Sequence, residues 1–262
     1  MEFISSRQNT LVKQLKKLID SKRARTESGQ IIAEGLHLLQ ILLSTGGQAQ
    51  VIVIAERCRS DAEIIALEDL CTKSRFVVLP DAIFDQLAPT DTPGGLLFVA
   101  ESQASISTPD ISVDTLVLDR VQDPGNVGSL IRTAVAAGVR QVVLSSGCAD
   151  PWSPRCLRAG QGAQWLASVY TEQSLDIFIQ SYSGAVAATV LDGGLNLYAQ
   201  NLLQATAWLF GNEGQGVEPM LTAQATHRIT IPMPGGMESL NVNAAAAACL
   251  FEQVRQRQLT TA

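Results

Sequence analysis

At 262 residues the chain is long for one domain and short for three, so two domains of unequal size are expected. Hydrophobic residues make up 46% and charged residues 17%, ordinary for a protein with a real core, and no apolar run approaches the ~20 residues of a membrane span. The net charge of −6 argues against whole-surface attraction to nucleic acid, and the start, MEFISSRQNT, lacks the charged-then-apolar pattern of a signal peptide, so a cytoplasmic protein without a membrane partner is expected.

The summed charge conceals an asymmetry at the amino end. Residues 1–30 hold seven cations (Arg7, Lys13, Lys16, Lys17, Lys22, Arg23, Arg25) against Glu2, Asp20 and Glu27. Such a basic face is either an electrostatic footprint for nucleic acid or a solvated helix face. In NTLVKQLKKLID, Leu11, Val12, Leu15, Leu18 and Ile19 recur at helical spacing with lysines opposite. A short strand and a second helix follow in IIAEGLHLLQILLSTGG, stopped by Gly46-Gly47. Then come strand QVIVIAE, helix DAEIIALEDLCTKS, strand RFVVLP, helix DAIFDQLA and strand GGLLFVAE. Residues 1–100 therefore read as a small α/β unit. The serine-rich, proline-containing stretch 101–114, ESQASISTPDISVD, is the linker candidate. After it the pattern restarts over 115–262: strand TLVLD, loop RVQDPGN, helix VGSLIRTAVAAG, strand QVVLSS, then strands GAVAATVL, ATAWLFG and HRITIPM, and an alanine-rich helix last. That is a second, largely parallel α/β domain.

The five cysteines (58, 71, 148, 156, 249) form no CxxC pair and read as reduced thiols. His37, in a helical run, and His227, ahead of a strand, are far apart, so no metal site is expected. The chemistry is to be sought where glycines break the hydrophobic rhythm at strand ends: DRVQDPGNVGSLIRTA, FGNEGQGV and IPMPGGMESLNVNAAAA. None is a phosphate loop, and GNEGQG lacks the dinucleotide spacing, which disfavours a nicotinamide-dependent oxidoreductase. One such loop alone would be a structural turn. Three in one domain, mixing glycine with Asn, Glu, Arg and Ser, favour a ligand site.

In order and spacing, DPGNVGSLIRTAVAAGV, LFGNEGQGV and IPMPGGMESLNVNAAAAACLFE resemble the three motifs of the SpoU (TrmH-like) RNA ribose 2′-O-methyltransferases of the SPOUT class. DPWSPRCLRAGQGA resembles the segment between their first two motifs. ISSRQNTLVKQLKKL…IIAEGLHLL and TPGGLLFVA resemble the family's amino-terminal substrate-binding domain, similar to the ribosomal protein L30e fold. Two positions depart: Gly160 stands where serine is expected and Gly95 where glutamine is usual.

The resemblance implies an S-adenosyl-L-methionine-dependent enzyme that methylates a ribose 2′-hydroxyl, in ribosomal RNA rather than transfer RNA by analogy with the L30e-like domain. It puts Arg132 at the reacting centre, with Asn126, Glu213, Ser239 and Asn241 around it. It gives main-chain cofactor contacts to Gly211, Ile231 and Leu240, with Met233 and Thr189 lining the pocket. Arg7, Asn9, Lys13, Lys16 and Arg23 become candidate RNA contacts, joined by Arg158 from the catalytic domain. Arg132 acts either as general base or as a charged fork that holds phosphate and stabilises an alkoxide; neutralising it near pH 7 costs roughly six pKa units, or about 8 kcal/mol. Glu213 orients Arg132 or meets the cofactor's charge. Ser239 and Asn241 also suit the cap of the last helix. Ala244–Ala248 offer a thin helix surface or plain helix propensity. A carboxyl-terminal trefoil knot and a homodimer rest on the resemblance alone. The rival of another class is a non-catalytic RNA-binding protein of the same fold.

Overall fold

Two compact units make up the chain: Met1–Gln103 with Trp152–Trp165, and Ala104–Pro151 with Leu166–Ala262. The structure is a computed structural model, and it describes residues 1–90, 92–103 and 107–261. Residues 104–106 of the expected linker lie outside the described residues.

In the first unit the elements are β1 (Glu2–Phe3), α1 (Thr10–Asp20), α2 (Lys22–Ser28), β2 (Gln30–Glu34), α3 (Leu36–Ser44), β3 (Ala49–Ala55), α4 (Ala62–Leu70), β4 (Arg75–Leu79), α5 (Asp81–Leu87) and β5 (Leu96–Glu101). The sheet order is β1-β4-β3-β5-β2, with β4 parallel to β1 and β3, and β5 antiparallel to β3 and β2. Helix α1 forms because Leu11, Val12, Leu15 and Leu18 make one buried stripe and Asn9 caps its start, the Asn9 side-chain oxygen accepting from the Leu11 N–H at 2.8 Å. That stripe packs against Val53, Leu79, Phe84 and Leu97.

One cation of the basic amino end is not on the surface. Arg25 is 6% exposed, and its guanidinium donates to the carbonyls of Leu18 at 2.6 Å and Ile19 at 3.1 Å. It satisfies orphan acceptors at the end of α1, a role that charge counting cannot distinguish from an outward-facing one.

The second unit contains β6 (Thr115–Asp119), α6 (Pro124–Ala136), β7 (Gln141–Ser145), then, past α7 (Pro154–Gly160), which belongs to the first unit, β8 (Ser168–Gln173), α8 (Leu175–Ser181), β9 (Ala185–Thr189), β10 (Leu195–Asn196), β11 (Thr206–Gly211), α9 (Pro219–Gln224), β12 (His227–Thr230) and α10 (Val242–Thr261). Its seven strands are all parallel, in the order β10-β12-β9-β11-β6-β7-β8. Strands β6 and β11 are buried along their whole length, as a sheet covered on both faces requires. Val117, Ala207 and Leu209 join Phe178 and Leu221 in one cluster, with α8 and α9 on that face. Their neighbour Trp208 points the other way, and its indole N–H donates to Gln253 Oε1 of α10 at 2.8 Å.

Helix α6 begins at Pro124, three residues before the expected Val127. Asp123 caps it, its Oδ1 accepting from the Asn126 N–H at 2.9 Å, and Pro124 occupies the first turn. Asn126 is thereby in the helix rather than in the loop. At the other end, β12 stops at Thr230, so Ile231–Met233 belongs to the loop that follows.

Candidate active site

The register of the parallel sheet aligns the ends of the strands that carry the motifs. Gly211 of β11 stands beside Asp119 of β6, and Leu209 beside Ala188 of β9. The three glycine-containing loops therefore leave the same edge, where open α/β sheets bind ligands.

Between Thr189 on β9, the loop Gly211–Val217 and the stretch from Ile231 to Ala245 lies a cleft of about 730 Å³. All five cofactor candidates line it: Thr189, Gly211, Ile231, Met233 and Leu240. So do Glu213, Ser239 and Asn241. The volume and the mixed lining suit a nucleoside-sized ligand with an apolar arm. Gly211 has a specific reason to be glycine: a Cβ there would run into the backbone of Gly216 and Val217, where the chain doubles back. That return is held by Asn212, whose Oδ1 accepts from the N–H groups of Gly214 at 3.0 Å and Gln215 at 3.1 Å. The Asn212 Nδ2 donates to the Arg120 carbonyl at 3.0 Å. Arg120 itself has φ of 53° and grips the buried Asp119 carboxylate with two 2.9 Å bonds. Asp119 Oδ2 also accepts the Glu218 N–H at 2.9 Å, tying the first loop to the second.

A second set of hydrogen bonds joins all three motif segments. Asn126 Nδ2 donates to Glu213 Oε1 at 2.8 Å, and Asn126 Oδ1 accepts from Asn243 Nδ2 at 2.7 Å. Burial pushes the Glu213 carboxyl up, but the Asn126 amide and backbone N–H groups outweigh it and hold the group below the usual carboxylate range. Glu213 thus turns to Asn126, and no bond joins it to Arg132 among the described residues, so the expectation that it orients Arg132 is not what the geometry presents. Arg132 stands exposed on α6, one turn beyond the buried Gly128 and outside the cleft lining. Asn241 caps α10, its Oδ1 accepting from the Asn243 N–H at 2.9 Å, and Ser239 is exposed at the cleft. The Thr189 hydroxyl donates to the Leu209 carbonyl at 3.2 Å.

The candidate RNA contacts all lie in the first unit. Arg7, Lys13, Lys16 and Arg23 are exposed; Lys16 pairs with Asp20 at 3.2 Å and Arg23 with Glu27 at 2.6 Å. The Asn9 side chain is engaged as a helix cap. Arg158, expected from the catalytic domain, is exposed on α7 and belongs to the first unit. The two departures from the family pattern have local causes there: a Cβ at Gly160 would meet the Gln164 side chain, and Gly95 has φ of 81° with Cys58 Sγ in the space of a side chain. Among the described residues, no three His, Cys, Asp or Glu side chains gather to hold a metal, and no helix is long and apolar enough to cross a membrane.

Two members of this network, Asn212 and Asn243, were absent from the sequence expectations. Both sit inside the quoted motifs, and their signal is an amide where a turn or cap needs only one of its groups.

Residues 114–251 match the family described as SpoU rRNA methylase, and residues 9–97 match the one described as the MRM3-like substrate binding domain. The chain is 31% identical to the 23S rRNA (guanosine(2553)-2′-O)-methyltransferase RlmP of Bacillus subtilis, over 96% of its own length and 98% of the relative's. It is 32% identical to an uncharacterized tRNA/rRNA methyltransferase of Synechocystis, over 97% and 94%. It superposes on the AdoMet-bound rRNA methyltransferase from Sinorhizobium meliloti with a TM-score of 0.82 at 27% identity, covering 97% of each chain. With the motif loops at one sheet edge and likeness over nearly its whole length, the chain belongs to the SpoU rRNA methylase family.

Proposed function

We propose that the protein transfers a methyl group from S-adenosyl-L-methionine to a ribose 2′-hydroxyl of ribosomal RNA. The observation that carries this reading is the cleft whose floor is Gly211 and whose edge bears Glu213, bonded to Asn126 of the first motif. The relatives named as 23S rRNA 2′-O-methyltransferases and the AdoMet-bound neighbour support the choice of substrate and cofactor.

Bound in the cleft, the cofactor supplies an electrophilic methyl on a sulfonium. The chain's part is to hold and expose the other reactant. Ile231, Met233 and Leu240 exclude water from the methyl's path. Glu213, in the lining of the cleft, would meet the positive charge of the bound cofactor. Arg132, a charged fork on the exposed face of α6, grips the phosphate beside the target ribose and stabilises the 2′-oxygen as its proton passes to solvent water. RNA is selected by the first unit, with Arg7, Lys13, Lys16, Arg23 and Arg158 as surface cations and Asn9 fixing the start of α1 among them. In the same reading the carboxyl-terminal segment forms a trefoil knot, and the protein is a cytoplasmic homodimer joined through α10, on which Phe251 is exposed.

The test is transfer of radiolabelled methyl to rRNA and, separately, tRNA from cells lacking the protein. Label is expected in rRNA at a ribose, with Arg132→Ala lowering the rate by about 10²-fold or more. Label in tRNA instead would correct the substrate. Label in neither, with cofactor and RNA still bound, would leave an RNA-binding protein.

A further inference from the structure

We infer that Asn243 is a positioning residue for methyl transfer: its side-chain amide holds Asn126 in the one orientation in which Asn126 donates to Glu213. The inference rests on the proposed role of the Asn126–Glu213 corner.

The direction of the chain of bonds follows from its last member. A carboxylate only accepts hydrogen bonds, and Glu213 is held ionised by its donors. Asn126 must therefore present Nδ2 to Glu213, at 2.8 Å, which leaves its Oδ1 facing the opposite way. The group it meets there must be a donor, and at 2.7 Å it is Asn243 Nδ2. Turned over by 180°, the Asn126 amide would set oxygen against carboxylate and nitrogen against nitrogen. Glu213 makes that alternative unfavourable at one end and Asn243 at the other.

Asn243 is itself held in place. Its N–H donates to Asn241 Oδ1 at 2.9 Å, so the cap of α10 fixes where the side chain begins. Its Oδ1 is buried and has no hydrogen-bond partner among the described residues. A buried acceptor without a partner costs stability, so packing alone does not account for an amide at this position. What the amide supplies is the donor. The contact spans 117 residues of sequence and links the third motif to the first, as the Asn126–Glu213 bond links the first to the second.

The experiment measures kcat, the KM for RNA and calorimetric binding of S-adenosyl-L-methionine for Asn243→Ala, Asn243→Asp, Asn243→Ser and Asn126→Ala. Asn243→Ala is expected to lower kcat by about tenfold with cofactor affinity near that of the parent. Asn243→Asp is expected to lose about 10²-fold at neutral pH, because its carboxylate draws Asn126 Nδ2 away from Glu213. Its activity is expected to rise relative to the parent as pH falls and the acid becomes a donor again. Asn243→Ser, which keeps a donor, is expected to restore most of what alanine loses.

Parent-like kcat in Asn243→Ala and Asn243→Asp, with Asn126→Ala inactive, would overturn the inference and leave the proposed centre standing. Cofactor binding lost in all three Asn243 variants, serine included, would also overturn it, in favour of a packing role. Full activity in Asn126→Ala would instead sink the reading of the corner on which the inference rests.

Discussion

Gly211 shows how one side chain's absence shapes the cleft. The backbone of Gly216 and Val217 occupies the place a Cβ would take, so Gly211→Ala has to push the returning strand of the loop away from β11. The residues displaced are those that line the cleft beside Glu213. We expect Gly211→Ala to weaken S-adenosyl-L-methionine binding by about tenfold or more, measured by calorimetry, with little change in RNA affinity. Asn126 and Arg25 teach a related lesson about polar residues. Each carries a group that a sequence reading assigns to loop or surface, and each is instead committed to a particular acceptor: Glu213 for Asn126, the last carbonyls of α1 for Arg25.

The alanine-rich α10 is the element whose docking the site depends on most directly, since Asn241 and Asn243 stand at its start. Its small residues let it approach α6, but its anchor is polar. Gln253 is 2% exposed; it accepts from Trp208 Nε1 at 2.8 Å and donates to Thr206 Oγ1 at 3.1 Å and to the Leu202 and Gln204 carbonyls at 3.3 Å. Leucine would fill similar space and leave the Trp208 indole N–H and the Leu202 carbonyl without the partner Gln253 gives them. Gln253→Leu is therefore expected to lower unfolding stability by about 2–3 kcal/mol, read as a fall in the urea midpoint without a change in slope. The bidentate pair of Arg257 with Asp114 further along the helix contributes less, being partly in water.

At the scale of the whole chain, the division into units does not follow the order of residues. The segment Trp152–Trp165 leaves the methyltransferase unit and joins the first, where α7 packs against β2 and the Trp165 ring lies 6.1 Å from that of Phe98. Trp152, Cys156, Leu157 and Trp165 are all buried there. Cutting the chain at residue 103 would remove the sheet on which they pack. The isolated fragment 104–262 is expected to bind hydrophobic dye and to show red-shifted tryptophan emission relative to the full chain, despite containing all three motifs. A compact, dye-silent fragment would show that the segment repacks.

The sequence by itself determined the alternation of strands and helices, the parallel character of the second sheet and the place of the three loops. Those features are local: a strand buried on both faces needs a continuous apolar run such as TLVLD or ATAWLFG, and a loop at its end needs glycine. The start of α6 was legible too, in Asp123-Pro124, but only to a reading that weighed caps as heavily as hydrophobic period. The tertiary structure alone decided the strand order that sets β11 between β9 and β6, the return of 152–165 to the first unit, the burial of Arg25, and the meeting of Asn243, Asn126 and Glu213. Bonds spanning 87 and 117 residues depend on which strands lie side by side, and no periodicity within a segment encodes that choice.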